Sequence, residues 1–107
     1  MRGRNKYNAI PVELDNMRFD SKLEAKYYVT LKLLARSGKV DYFLRQVPFH
    51  LPGKVTYRCD FQVFWEEGKV TYVDVKGRDT PMSRLKRKQV EDLYPVKIEL
   101  VSKVGMR

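Results

Sequence analysis

The run from Tyr57 to Gly77, Y-R-C-D-F-Q-V-F-W-E-E-G-K-V-T-Y-V-D-V-K-G, constrains the fold of this chain more than any other segment. Aromatic and β-branched residues dominate Tyr57–Trp65, and a second strand-like run covers Val70–Lys76. The E-E-G-K sequence between the two runs is typical of a tight connection. The segment therefore predicts a β-hairpin, and the shorter elements have to be arranged around it.

Three candidate site residues lie on this predicted hairpin: Asp60, Asp74 and Lys76. Side chains repeat on one face of a strand every second residue, so Asp74 and Lys76 share a face. If Asp60 on the partner strand faces the same side, two carboxylates and a lysine converge on one small volume.

Two adjacent carboxylates raise each other's pKa, and a divalent cation removes that conflict. Mg²⁺ and Mn²⁺ prefer oxygen ligands, and Mg²⁺ typically takes one or two carboxylates together with substrate phosphate and water. Lys76 would orient the attacking water, help to deprotonate it, or neutralise charge on the phosphate. The set suits hydrolysis of a phosphodiester. The alternative is that Asp60 is a solubility charge on an edge strand and that Asp74 and Lys76 form an ordinary surface pair.

The chain's strong positive charge points to a polyanionic partner. Its 107 residues suit a single domain, with a formal charge of +9 and a pI near 9.8. Nucleic acid is the first candidate, ahead of an anionic membrane surface. Residues 1–7 form a basic arm carrying Arg2, Arg4 and Lys6, which either grips a nucleic-acid strand or is a solvated terminus.

Other classes of protein are excluded by composition. No apolar run is long enough to span a membrane, and the first residues lack the apolar core of a secretory signal. A single cysteine, Cys59, forms no internal disulfide and suits a reducing compartment, so we expect a cytoplasmic protein with a buried, inert thiol. With one cysteine and one histidine, His50, a structural zinc site is excluded.

Local signals predict the remaining elements. The D-N pair at Asp15-Asn16 suggests a small hairpin within Asn8–Phe19, and Val40–Leu51 and Val96–Val101 read as strands. Gln46, within the strand before the main hairpin, is either a polar site residue or a solvated position.

A first helix is predicted over Asp20–Gly38. Ser21 and Glu24 have the S-x-x-E spacing of a capping box. The predicted apolar stripe consists of Leu23, Tyr27, Leu31 and Leu34. Glu24 either serves the cap alone or joins the acidic site from the helix side.

A second helix is predicted over Pro81–Leu93, with Thr80 as its N-cap. Its predicted inward side consists of Met82, Leu85, Gln89 and Leu93, with Val90 at the margin. One turn of this helix is densely basic and consists of Arg84, Lys86, Arg87 and Lys88. This basic turn either binds phosphates or is a solvated face.

The order of these elements, from the first helix onward, is helix, three strands, helix, strand, which implies an α/β (α+β) fold with helices covering one mixed sheet. With Glu24 on the first helix, Asp60 in Y-R-C-D-F, and Asp74 and Lys76 in V-D-V-K-G, this order resembles the restriction-endonuclease-like core of the PD-(D/E)XK nuclease superfamily. The resemblance covers Asp20–Val101. Within that superfamily, the sequence is most similar to small phage-encoded nucleases related to Holliday-junction resolvases. Two positions depart from the motif: Cys59 replaces its proline, and Asp74 replaces the usual glutamate.

The resemblance implies a role for each matching residue. Asp60 and Asp74 would bind Mg²⁺ or Mn²⁺, Glu24 would bind it directly or through water, and Lys76 would position the attacking water. Lys86 or Lys88 would approach the scissile phosphate. Further DNA contacts are expected from Arg4, Lys6, Arg78, Arg84 and Arg87.

The resulting hypothesis is a homodimeric, metal-dependent endonuclease that acts on branched DNA, with the four-way junction as its expected substrate. It would act in the host cytoplasm if the chain is phage-encoded. Paired cuts at a junction need two active sites, hence the dimer. The first alternative is a DNA-binding module without catalysis. The second is flap, nicking or restriction cleavage by the same site, because substrate choice depends on loops and assembly.

Overall fold

The computed structural model describes residues 10–104 and shows an α+β fold. A four-stranded mixed sheet has the order β3-β4-β5-β6, and a two-stranded sheet pairs β1 with β2. Two helices complete the fold, so the predicted class and element order are confirmed. The elements are β1 (Val12–Leu14), β2 (Met17–Phe19), α1 (Lys22–Arg36), β3 (Val40–Leu51), β4 (Val55–Trp65), β5 (Val70–Val75), α2 (Pro81–Leu93) and β6 (Ile98–Val101).

Residues of the predicted basic arm, including Arg4 and Lys6, lie outside the described part of the chain. Within residues 10–104, neither helix is long and apolar enough to cross a membrane.

The predicted hairpin before the first helix is present as β1 and β2. Its turn residues, Asp15 and Asn16, have φ of 54° and 62°. Left-handed backbone at both central positions defines the two-residue turn that matches strand twist, and Asp and Asn tolerate that conformation. The D-N pair therefore fixes the hairpin locally.

Helix α1 begins and ends where the sequence signals place its boundaries. The Ser21 side chain accepts a hydrogen bond from the Glu24 N–H at its N-terminus. After Ser37, Gly38 has φ of 87°, and its N–H donates to the Ala35 carbonyl, which closes the last turn.

The buried face of α1 is rotated from the predicted stripe. Its buried residues are Glu24, Ala25, Tyr28 and Leu31, whereas Leu23, Tyr27 and Leu34 are only partly buried. The cause is the β1–β2 hairpin, which covers one flank of the helix and places Phe19 4.9 Å from Tyr28 between ring centroids. The rotation brings Glu24 into the protein interior.

The sheet has two apolar clusters, one with each helix. The first packs α1 against Phe61, Val63, Val73 and Val75. The second includes Val90 of α2 and Cys59 of β4. Cys59 is fully buried, so the predicted burial of its thiol is confirmed, and burial raises the pKa of that thiol to about 12.

The predicted inward side of α2 is wrong. Met82, Leu85 and Leu93 are 62%, 53% and 55% exposed, whereas Val90 is fully buried. Arg87, one turn before Val90, forms two hydrogen bonds of 2.9 and 2.6 Å with the carboxylate of Asp79 in the preceding loop. This ion pair and Val90 fix the helix rotation, so the apolar stripe remains on the surface.

The rotation of α2 can be tested by two truncations on the same helix. Val90→Ala should lower the free energy of unfolding by about 2 kcal/mol, because it removes two buried methyl groups and leaves a cavity. Leu85→Ala should cost less than about 0.5 kcal/mol, because the side chain is more than half exposed. Urea unfolding of both variants measures the difference. A larger loss of unfolding free energy in Leu85→Ala than in Val90→Ala would contradict the observed rotation.

Candidate active site

Asp60 lies where both ladders of the central strand β4 are interrupted. On one side, pairing passes from Arg45↔Phe61 to Val47↔Cys59 without pairing Gln46 with Asp60. On the other side, the ladder with β5 ends at Phe61↔Val73. Backbone groups left by an interrupted ladder need other partners. At this position carboxylate side chains supply them.

Asp60 and Asp74 occupy the next position beyond the last β4–β5 pair. The Asp60 N–H donates to Asp74 Oδ1 at 3.0 Å, and the Val75 N–H donates to Asp60 Oδ2 at 2.8 Å. Each carboxylate thus accepts a hydrogen bond from the backbone of the opposite strand. These two bonds fix both acids to the sheet rather than to a mobile loop.

Asp74 has one buried oxygen with no partner. The residue is 1% exposed, and among the described residues no donor contacts its Oδ2. Burial raises the pKa of Asp74, and it does so despite the Asp60 N–H and the nearby charges of Lys76 and Arg87, which lower it. An unpartnered buried carboxylate oxygen is costly unless a proton or a cation satisfies it.

Glu24 divides its two oxygens between the helix cap and the site. Oε1 accepts the N–H of Asp20, the residue before the N-cap Ser21, at 3.2 Å, so it reaches one residue beyond the N–H that a capping box uses. Oε2 accepts Gln46 Nε2 at 3.2 Å and faces Arg45 Nη2 at 3.5 Å. Glu24 therefore does not serve the helix start alone: one oxygen binds the backbone just before α1, and the other reaches Gln46 beside Asp60.

Burial raises the pKa of Glu24 from its ordinary value of 4.5 to about 7, with the Asp60 charge as the second cause. Burial also raises the pKa of Asp60, although the Val75 N–H, Lys76 and Gln46 oppose the change. Perturbed carboxylates that share a cleft are typical of functional sites.

Arg45 supports Glu24 from the side of β2. Its guanidinium lies 4.0 Å from the ring centroid of Phe19, and its Nη2 donates to the Arg18 carbonyl at 3.1 Å. The Arg45 side chain is only 17% exposed. It is therefore a fixed counter-charge at the margin of the site.

Gln46 joins the two acids that sequence analysis assigned to separate elements. Its Nε2 donates to Glu24 Oε2 and, at 3.4 Å, to Asp60 Oδ1. Sequence alone left Gln46 as either a site residue or a solvated position. The only signal that could have decided between these two interpretations is the position of Gln46, opposite Asp60 in the β3–β4 register. That register is not readable from composition.

The acids open into a cleft of about 660 Å³ between the start of α1 and the end of β5. Its walls include Glu24, Asp60 and Lys76, whereas Asp74 lies behind them and does not line it. Its other charged residues are Arg18, Asp20, Lys22 and Arg78. The structure thus gathers three predicted site residues in the cleft and places the fourth within hydrogen-bond reach of Asp60.

The predicted DNA-contacting residues of α2 differ in their surroundings. Arg87 is only 12% exposed and pairs with Asp79, so its guanidinium is engaged within the protein. Arg84 lies 3.7 Å from the same carboxylate but is 57% exposed. Lys88 is exposed and Lys86 half-buried, and neither lines the cleft. Arg78 lines it.

The donor set fits a hard divalent ion, although residues 10–104 contain no group of three His, Cys, Asp or Glu side chains already placed to hold one. Asp60 and Asp74 are joined by a hydrogen bond, and Asp74 Oδ2 is an oxygen that lacks a partner. Mg²⁺ commonly uses only one or two carboxylates and takes its other ligands from water and phosphate. The Asp60–Asp74 pair satisfies that requirement, with Glu24 nearby.

The raised pKa of Glu24 predicts how stability depends on pH in EDTA. Between pH 4.5 and about 7 the folded protein binds more protons than the unfolded chain, so the free energy of unfolding falls as pH rises. Glu24→Gln removes this effect and can still accept the Asp20 N–H. Its free energy of unfolding relative to wild type should rise by roughly 2 kcal/mol between pH 5 and pH 8.

Urea unfolding at the two pH values measures the difference, and any constant cost of the substitution cancels. Glu67→Gln, at an exposed turn position, is the matched control and should show no such gain. An equal effect of Glu24→Gln at both pH values would contradict the raised pKa.

Comparison with known proteins adds one finding to this geometry. A search of curated proteins gives no match. A family described as protein of unknown function (DUF1064) matches residues 4–105, which span both helices and all six strands. The chain therefore belongs to the DUF1064 family.

Proposed function

We propose that this protein is a metal-dependent endonuclease that hydrolyses phosphodiester bonds in DNA. The observation that carries the proposal is the junction of β4 and β5, where Asp60 binds the buried Asp74 carboxylate and is linked through Gln46 to Glu24. Glu24, Asp60 and Lys76 line one cleft there. The unpartnered Oδ2 of Asp74 supports it further, because a cation would satisfy that oxygen.

Asp60 and Asp74 would hold the ion, and Glu24 would hold it directly or through water. When bound, Mg²⁺ or Mn²⁺ supplies Lewis acidity and neutralises charge on the phosphate. The protein itself fixes the carboxylates: backbone N–H groups of the opposite strands bind Asp60 and Asp74, and the start of α1 binds Glu24. Such fixed donors need little reorganisation during reaction.

Lys76 is a cation of the same cleft that acts on both aspartates. Its charge lowers the pKa of both Asp60 and Asp74 against the effect of burial, so it lies within electrostatic reach of each. In the proposed reaction a water oxygen attacks phosphorus, and the bond from phosphorus to one sugar oxygen breaks. The products are a phosphomonoester and an alcohol. The Lys76 ammonium would orient the water or offset the charge that builds on the phosphate.

DNA as substrate is supported by the charge of +9 and by the cations of the cleft, Arg18, Lys22 and Arg78. These side chains line the same cleft as Glu24 and Asp60. Exposed Lys88 and Arg84 would extend the contact along α2. A four-way junction is the substrate we propose first, on the resemblance to resolvase-like nucleases, with action in the host cytoplasm if the chain is phage-encoded.

A homodimer is part of this proposal because paired cuts need two sites. Of the exposed apolar residues in the described part of the chain, we take the stripe of Met82, Leu85 and Leu93 on α2 as the candidate interface. Native mass spectrometry of the junction complex should give two chains per junction, and one chain would overturn the dimer.

The direct test is a gel assay with labelled four-way junction, flap, duplex and single-stranded DNA in Mg²⁺, Mn²⁺ or EDTA. We expect paired symmetric cuts on the junction with metal and none in EDTA. Asp74→Asn should lower the cleavage rate at least ~100-fold, because it removes one anionic ligand oxygen and leaves the packing unchanged. Binding should be kept. Asp41→Asn, an exposed acid of β3, is the matched control and should cleave like wild type.

The other outcomes separate the alternatives. Cleavage of every DNA would keep the metal-dependent nuclease and discard the junction preference. Binding of DNA without cleavage in any metal would contradict the enzyme and leave a basic DNA-binding domain. Equal cleavage by wild type and Asp74→Asn would remove Asp74 from the mechanism.

A further inference from the structure

The Gln46 side chain lies between two acids, Glu24 and Asp60. Its side-chain nitrogen donates to Glu24 Oε2 at 3.2 Å and to Asp60 Oδ1 at 3.4 Å. The assignment of that nitrogen follows from its partners, because both are carboxylate oxygens. The two N–H groups of one neutral amide thus separate two carboxyl groups whose charges repel each other.

The backbone of Gln46 is strained toward this position. Its φ is 53°, in the left-handed region that favours glycine and that a glutamine rarely adopts. The neighbours Arg45 and Val47 pair normally with β4, so the distortion is confined to one residue. The same residue is the one that contacts both acids. Strain of this kind persists where the surrounding structure enforces it, and it often marks a functional position.

A simple structural hydrogen bond does not explain this arrangement well. A regular strand residue opposite Asp60 would continue the ladder, and an apolar one would add to the core. Instead Gln46 and Asp60 do not pair through their backbones, and Gln46 has an unfavourable φ. The result is one amide in contact with two carboxylates that are themselves costly to bury.

We propose that Gln46 is a positioning residue for the divalent-ion site, an inference that rests on the proposed metal-dependent function. Without an ion, its amide holds Glu24 and Asp60 at a fixed separation. With an ion, the two carboxylates release the amide N–H groups, and the carbonyl oxygen of the same amide is a ligand of the hard type that Mg²⁺ and Mn²⁺ accept.

The test compares two substitutions at position 46 with wild type by thermal unfolding in EDTA and in Mn²⁺. Gln46→Glu replaces the donor with a third carboxylate, whereas Gln46→Leu removes donor and acceptor together. The Mn²⁺-induced rise in Tm should be largest in Gln46→Glu, intermediate in wild type and smallest in Gln46→Leu. Titration calorimetry should show Mn²⁺ bound about 10-fold to 100-fold more weakly by Gln46→Leu than by wild type.

Gln89→Glu, which adds the same charge at an exposed position of α2, is the matched control and should respond to Mn²⁺ like wild type. If Gln46→Glu does not fold in EDTA, its circular dichroism is measured in Mn²⁺, where the proposal requires folding. Failure to fold in both would overturn it.

The inference and the function can fail separately. If Mn²⁺ raises the Tm of wild type but raises that of Gln46→Glu and Gln46→Leu equally, Gln46 is a structural residue and the metal site remains. If Mn²⁺ leaves wild type unchanged, as it should leave Asp60→Asn, the proposed metal-dependent function fails and the role of Gln46 fails with it.

Discussion

The candidate site depends on one constraint, the interruption of both backbone ladders of β4 at Asp60. A central strand normally satisfies its N–H groups with neighbouring carbonyls. Here the Asp60 N–H is satisfied by the Asp74 side chain, and Asp60 in turn accepts the Val75 N–H. The acids are therefore structural partners of the sheet and candidate ligands at the same time, which explains how carboxyl groups with raised pKa are held in place without a loop.

Glu24 links this constraint to the helix. One oxygen accepts the Asp20 N–H just before α1 and the other faces Gln46 and Arg45, so a single side chain links the start of the helix to the cleft. Burying Glu24 beside Asp60 costs stability at neutral pH, because both acids have raised pKa values. Such a cost is common where a site is arranged for a ligand rather than for stability.

Much of the fold could be predicted because its signals are local. The Asp15-Asn16 turn, the Ser21 cap and the Thr80-Pro81 start of α2 each depend on a few adjacent residues, and all are present. The rotation of α2 could not be predicted, because it depends on an ion pair between Arg87 and the preceding loop rather than on apolar spacing.

Part of the candidate site could also be predicted, because some of its signals are local in the sequence. Asp74 and Lys76 are two apart on one strand, and the capping box drew attention to Glu24. The role of Gln46 stayed open because nothing in a strand of hydrophobic and polar residues indicates a left-handed backbone at a glutamine. The measurement that tests the account most directly is anomalous diffraction from crystals of the protein grown with Mn²⁺. The account predicts a manganese peak in contact with the carboxylates of Asp60 and Asp74, and a cleft without such a peak would contradict it.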